Sequence, residues 1–261
     1  MLKYLKLYKT FITNCLMRDL EFRINFILYT VLNFLWTGLT YFSVFIIYGQ
    51  VDRIGSWDKN EMLLFTTVFS FSNALLKLSL YQNSNKLSEY IRNGELDFLL
   101  SKPKNTRFII STRYFKFQQI PRLLMFFYLI FLQTFKLNPQ VNISSFFYGF
   151  ILIFLGVFGM YCLLFIINSF AFWKPRICNL FALTDKLEGL ADRPSDIYKG
   201  ILKYLFTFFP IAAFSTIPAK FFLGKGTIEL FIEAAIITVF FFCLSHIIWK
   251  LGLKRYESAS S

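Results

Sequence analysis

Residues 145–173 read SFFYGFILIFLGVFGMYCLLFIINSFAFW, a run without a single Lys, Arg, Asp, Glu or His. A helix needs about 20 apolar residues to cross the hydrocarbon core of a bilayer, so this run can tilt or project beyond the membrane. Gly149, Gly156 and Gly159 lie within it as one GxxG and no GxxxG, a thin signal for close helix packing. Runs of similar character recur at Ile24–Tyr48, Met62–Tyr81, Ile120–Phe135, Tyr204–Leu223 and Ile228–Trp249. Together they predict an all-α polytopic membrane protein with six transmembrane helices. The composition agrees: 56% of the 261 residues are hydrophobic, 21% aromatic and only 16% charged, too little charge to cover the surface of a soluble domain this size.

The first run has no small-residue cleavage site behind it and is expected to stay as an anchor. Before it, residues 1–23 read as an amphipathic helix lying in the interface. Leu5, Tyr8, Ile12, Cys15 and Leu16 fall on one side, with Lys6, Thr10, Thr13, Asn14 and Arg18 opposite. The six-span domain occupies 24–257, and 258–261 form a tail. The fifth run contains Pro210 and Pro218. Each lacks a backbone donor, which predicts a broken helical element on the outer face before the last span.

Charge sets the orientation. Of 28 Lys and Arg, five (Arg53, Lys59, Lys136, Lys220 and Lys225) fall on one side, Lys77 lies in the second span, and the other 22 fall on the opposite side. The positive-inside rule then makes both termini cytoplasmic, with loops 82–119 and 174–203 inside. The net charge of +13 is accounted for by this distribution, so no nucleic-acid partner is expected. Lys77, a turn from the inner end, can snorkel to the headgroups, and Arg122 is expected at the cytoplasmic mouth of the third span.

The longest polar interval of the first half is Ser88–Arg107, SEYIRNGELDFLLSKPKNTR. Leu87, Tyr90 and Ile91 share a helix face, and Asn93-Gly94 is a helix stop because glycine takes the left-handed conformation without steric cost. Glu95 and Asp97 favour the start of a second short helix, Leu96, Leu99 and Leu100 give it an apolar face, and Pro103 ends it. The result is a compact knob.

Within this knob, IRNGELDFLLSKPKN resembles the first cytoplasmic loop of bacterial ABC-type export permeases of the type-2 class. Their Gly-x-Leu-Asp, two-leucine, Lys-Pro pattern falls here on Gly94, Leu96, Asp97, Leu99, Leu100, Lys102 and Pro103. A second segment, ADRPSDIYKGILKYLFTFFPIAAFSTIPAKFFLG, is similar to the same family at Arg193, Pro194, Tyr198, Pro210, Pro218 and Ala219. The resemblance implies a permease subunit in the bacterial cytoplasmic (inner) membrane. It also implies a second permease, identical or homologous, to complete the pathway, and a separate ABC ATPase subunit docked on the loop. ATP and Mg2+ would be bound by that partner. Leu96, Leu99 and Leu100 would supply an apolar seat, Glu95 and Asp97 the charged register, and Gly94 the sharp turn. Changing Leu96 and Leu99 to aspartate would then spare membrane insertion and abolish docking.

The chain itself offers little chemistry, and no enzymatic activity or cofactor is expected in it. Gly224-Lys225 is preceded by alanine at position 219, so the GxxxxGK[ST] spacing of a phosphate loop is absent. Cys15, Cys162, Cys178 and Cys243 form no CxxC, and His246 is the only histidine, which leaves no metal-ligand spacing and no catalytic triad. No carboxylate is expected at mid-membrane, where an ion-coupled carrier would need one. Glu229 and Glu233 share a face of the last span near its outer end, as solvated outer-mouth acids or a substrate-gating pair. A membrane scaffold without a transport cycle would use the same knob for docking, and a lipid-modifying enzyme would need acid and base groups that are missing. Drug, lipid, glycan and peptide substrates all remain open.

Overall fold

A computed structural model describes residues 2–139, 142–174 and 180–256; the 258–261 tail and Cys178 lie outside these. The chain opens with α1 (Leu2–Glu21), turns at Phe22 (φ −97°, ψ 55°) and continues as α2 (Arg23–Tyr48). Among the α2 residues only Thr37 and Val44 are buried, so this helix presents nearly its whole girth outward. Its polar side chains are turned back on the backbone. Thr30 Oγ1 donates to the Phe26 carbonyl at 2.8 Å, Asn33 Nδ2 to Tyr29 at 2.7 Å and Thr37 Oγ1 to Asn33 at 2.8 Å, which satisfies them without water.

A two-stranded hairpin follows, β1 (Arg53–Ile54) against β2 (Trp57–Asp58), turning at Gly55 with φ +61°. Then comes α3 (Lys59–Leu78), started by a capping box in which the Asp58 carboxylate accepts from the Glu61 N–H at 2.8 Å and Glu61 reaches back to Asp58. Ser79 (φ −146°, ψ −52°) bends the path by 44° into α4 (Leu80–Arg92). Its hydroxyl donates to the Tyr114 carbonyl at 3.1 Å, and Asn83 both accepts from the Tyr114 N–H and donates to its carbonyl. The bend is thus fixed by side chains rather than by proline.

The short α5 (Leu96–Leu100) and α6 (Thr106–Thr112) lead to α7 (Ile120–Leu137) and α8 (Ile143–Ser169). After α9 (Leu180–Gly189) come α10 (Ile201–Phe208), α11 (Ile211–Phe214), α12 (Thr216–Phe222) and α13 (Ile228–Arg255). Among the described residues, four helices are long and apolar enough to cross a membrane: α2, α7 with its leading turn, α8 with its trailing turn, and α13. Counting α3 and α4 as one bent span makes five.

The expected fifth run, Tyr204–Leu223, is three short helices with breaks at Phe209-Pro210 and at Ser215 (φ −139°, ψ −52°). Pro210 stands at the first break as anticipated. Pro218 does not break anything: it sits in the first turn of α12, where its missing N–H would be unpaired in any case. The glycines of α8 explain how this broken element docks. A β-carbon on Gly156 would overlap the Ala213 carbonyl, one on Gly149 the Phe222 ring, and one on Gly159 would press on Pro210. Close packing that the spacing barely signals is therefore the central contact of α8 with α11 and α12.

The described part of the interval 174–203 does not stay at one end of the bundle, as the expected cytoplasmic loop would. Thr184 Oγ1 donates to Asn85 at 3.2 Å and the Tyr81 hydroxyl to Asp185 at 3.2 Å, both at the α4 end. Further along, the Ser215 hydroxyl donates to the Ala191 carbonyl at 3.0 Å, the Ser195 N–H to Thr216 at 2.9 Å, and Lys220 pairs with Asp196 at 2.8 Å. Ile197 finally borders Gly55 in the hairpin. This stretch therefore runs the length of α3, from its α4 end to its hairpin end.

Candidate functional site

The knob forms as the sequence pattern dictates. Gly94 takes φ +73° just past α4, with the Asn93 N–H bonded to the Glu89 carbonyl at 2.9 Å. The five-residue α5 then turns two leucines inward: Leu96 is 0% and Leu99 1% exposed, in one core cluster with Ile109, Ile110 and Leu87. This corrects the expected apolar seat at two of its three leucines, since neither Leu96 nor Leu99 can touch a partner. Phe98 is 66% exposed instead, with Leu100 beside it also exposed, and the Lys102 ammonium lies 4.3 Å from the centre of the Phe98 ring. Glu95 and Pro103 are exposed as well. Asp97 is half-buried and faces Tyr256 beyond the end of α13, and burial followed by that carboxylate pushes the Tyr256 phenol above its ordinary value.

Both ends of the chain reach this knob. The Asn105 N–H points to the Tyr4 hydroxyl at 3.4 Å, and Tyr4 meets the Phe108 ring edge-on. Asn105 caps α6 through the Phe108 N–H at 3.1 Å. Two residues after Asn105, Arg107 reaches across to two long helices. Its Nη2 donates to Ser245 Oγ of α13 at 2.6 Å, its Nη1 lies 3.4 Å from His246 Nδ1, and the guanidinium sits 4.7 Å from the centre of the Phe165 ring of α8. Ser111 of α6 shares a short hydrogen bond with Tyr161 of α8. In the sequence Arg107 is one inner positive charge among many; its place at the end of the Ser88–Arg107 interval is the available clue.

A second group of polar side chains lies deeper. Glu188 of α9 is 5% exposed; its Oε1 accepts from the Asn73 amide and pairs with the Lys77 ammonium at 2.6 Å. Arg122 at the start of α7 is also buried, stacks on Phe126 and interacts electrostatically with the same carboxylate. Lys77 is therefore an ion-pair partner rather than a snorkelling side chain, and Arg122 is not at an open mouth. A buried acid stands within the helix bundle after all, contributed by the interval expected to be a loop. Next to it, Asn168 of α8 donates to Ser84 and Asn85 of α4 at 3.3 and 3.1 Å. Buried polar groups among membrane helices cost several kcal/mol unless paired and are kept where a bundle uses them.

The remaining predicted positions lie apart from both groups. Pro210 and Pro218 are buried against α8 and within α12, as described above. Glu229 is exposed and Glu233 half-buried on the first turns of α13, at the hairpin end.

Comparison with curated proteins and with solved structures finds no match to this chain. A family model described as ABC-2 family transporter protein matches residues 34–260, from within α2 to beyond α13, and the chain belongs to this family of ABC transporter membrane components.

Proposed function

We propose that this multi-pass protein is the permease subunit of an ATP-driven exporter in a bacterial cytoplasmic membrane. It forms half of a pathway completed by a second permease and is driven by a separate ABC ATPase docked on the α4–α5–α6 knob. The observation that carries this reading is the construction of the knob: Phe98 projects from a base whose Leu96 and Leu99 are locked in the core, and Arg107 ties that base to α8 and α13. An aromatic anchor on a rigid mount suits insertion into a partner's cleft, and a rigid mount transmits displacement where a floppy loop would not. The chain would not hydrolyse nucleotide itself.

The sidedness follows from charge. The knob, α1 and the end of α13 lie together, and this end carries the basic excess, so it is read as cytoplasmic. Transferring Arg193, Lys199 and Lys203 to the hairpin side, as the course of 180–198 suggests, leaves that excess intact. In this arrangement 180–198 crosses the bundle as the fifth, partly irregular span. Residues 201–222 then form an element that dips in from the outer face beside α8 and α13. Irregular backbone is tolerated at membrane depth where protein covers it.

Co-purification tests the reading. Phe98→Asp is expected to leave the permease folded and inserted and to lose the ATPase subunit. Retention of the ATPase at the wild-type level would rule out the knob as its seat.

A further inference from the structure

Where α1 folds beneath the rest of the chain, cations outnumber acids. Arg18 and Arg113 line one cleft of about 330 Å3, together with Phe11, Asn14, Cys15 and Tyr114. Among the described residues Arg113 has no carboxylate partner: its Nη1 lies 3.2 Å from the Tyr90 hydroxyl and its guanidinium rests over the Tyr90 and Tyr114 rings. Among the described residues Arg18 pairs with Asp19 alone, at 3.9 Å through Nε, and that carboxylate also accepts from the Phe117 N–H at 3.4 Å. Lys116 adds a third cation. The residue is exposed overall, but burial, and then the charges of Lys77 and Arg18, push its ammonium below its ordinary value, with Asp19 opposing them. Of these neighbours Lys77 is already paired with Glu188.

On the other flank of α1 is an apolar hollow of about 350 Å3, walled by Leu16, Leu20, Phe26, Ile27, Ile120 and Pro121, with Asp19 and Arg23 also bordering it. The cleft and the hollow adjoin at the Arg18–Asp19 pair, because Arg18 lines one and Asp19 the other. The hollow also lies where α1 passes into α2, a helix long and apolar enough to cross a membrane, and the start of such a helix belongs at the level where headgroups give way to acyl chains.

We propose that this junction binds an anionic phospholipid, with its phosphate between Arg18 and Arg113, Lys116 adding charge, and one acyl chain in the Leu16–Leu20–Ile27–Ile120 hollow. The guanidinium fork matches phosphate oxygens in pairs, and basic pockets at the cytoplasmic ends of membrane helices select anionic headgroups. Free phosphate could use the cleft, but it would leave the hollow without an occupant. A bound lipid would pin α1, whose Tyr4 braces the knob. The site depends only on the chain being membrane-embedded and stands whether or not the exporter reading does.

The test uses the purified full-length chain in neutral detergent, titrated with phosphatidylglycerol, phosphatidylcholine or inorganic phosphate. Thermal unfolding and lipid retention by native mass spectrometry are the readouts. Phosphatidylglycerol should raise the unfolding temperature saturably and remain bound, while phosphatidylcholine should not. Arg18→Gln with Lys116→Gln, both at exposed positions, should weaken that response about tenfold relative to each protein's own lipid-free unfolding temperature. Ile27→Trp, which fills the hollow with the cations intact, should weaken it as well and serves if the double variant folds poorly. Equal responses to the two lipids, undiminished binding by the variants, or reproduction of the shift by inorganic phosphate alone would each overturn the lipid assignment.

Discussion

The Lys77 ammonium lies 2.6 Å from the Oε1 of Glu188, which joins α3 to α9 across a separation of more than a hundred residues. The two partners are not equally enclosed: the Glu188 side chain is 7% exposed and that of Lys77 31%. The Arg122 charge also acts on the carboxylate. Glu188→Gln therefore removes the ion-pair partner of Lys77 and the nearby negative charge from the buried Arg122, and is expected to cost about 2–4 kcal/mol. Lys77→Met leaves Glu188 with Asn73 and Arg122 and removes a charge that water partly reaches, so about 1 kcal/mol is expected. The double variant should be more stable than the sum of the two losses implies. Denaturant unfolding in detergent measures all three, and wild-type stability of Glu188→Gln would show that the pair contributes nothing.

The knob separates folding from docking. Leu96→Asp or Leu99→Asp places a carboxylate in a closed core and should cost several kcal/mol, seen as lost yield and early unfolding. The sequence-based expectation that these changes spare insertion and affect docking alone is thus reversed. Phe98→Asp, at an exposed site, should change stability by no more than about 0.5 kcal/mol and act only on partner retention.

These two cases also show what a sequence can and cannot say. Helix stops, apolar runs and the Gly94 turn are local, and each was legible because one residue's backbone preference decides it. Which of Leu96, Phe98, Leu99 and Leu100 faces outward depends on where α6 returns, a fact set by Arg107 and its distant partners Phe165, Ser245 and His246. Glu188 illustrates the same limit. A polar stretch reads as a loop because its carboxylates seem costly in lipid, until Lys77, Asn73 and Arg122 from two other helices offset that cost.

Glycine substitutions in two membrane helices should behave oppositely. A β-carbon at Gly156 collides with the Ala213 backbone, which cannot swing aside, and Gly156→Ala should cost about 1–3 kcal/mol. Gly38 in α2 has nothing within 4 Å, and alanine there should be neutral or gain up to about 1 kcal/mol from helix propensity. Equal stability of the two variants would show that α11 does not dock on α8 as described.

Topology can be read by cysteine labelling in a background where all four native cysteines are serine. Cysteines at Ser56 and Lys199 should react with an impermeant reagent from the same, outer side, and one at Phe98 only from the cytoplasmic side. The assignment of 174–203 to the inside predicts Lys199 with Phe98 instead. Labelling of position 199 from the cytoplasm would restore that assignment and remove the crossing proposed for 180–198.

Arg107 is the positioning residue through which the knob would move α13. Its fork holds Ser245 at 2.6 Å and approaches His246, while its face lies over Phe165 and Phe242, so a shift of α6 must either drag α13 or break these contacts together. Arg107→Met keeps the stem and its apolar packing but loses the hydrogen bonds. The expected result is a permease that folds, keeps Phe98 exposed and retains its ATPase, yet no longer responds to nucleotide at the far end of α13. A cysteine at Glu233 reports that response, as the ATP-dependent change in its labelling rate in the reconstituted complex. Arg107→Lys should be intermediate, since one ammonium can bond Ser245 but cannot also stack and fork. If Arg107→Met shows the full ATP-dependent change at position 233, the path from knob to α13 runs through other contacts, and Ser111 with Tyr161 on α8 becomes the next to test.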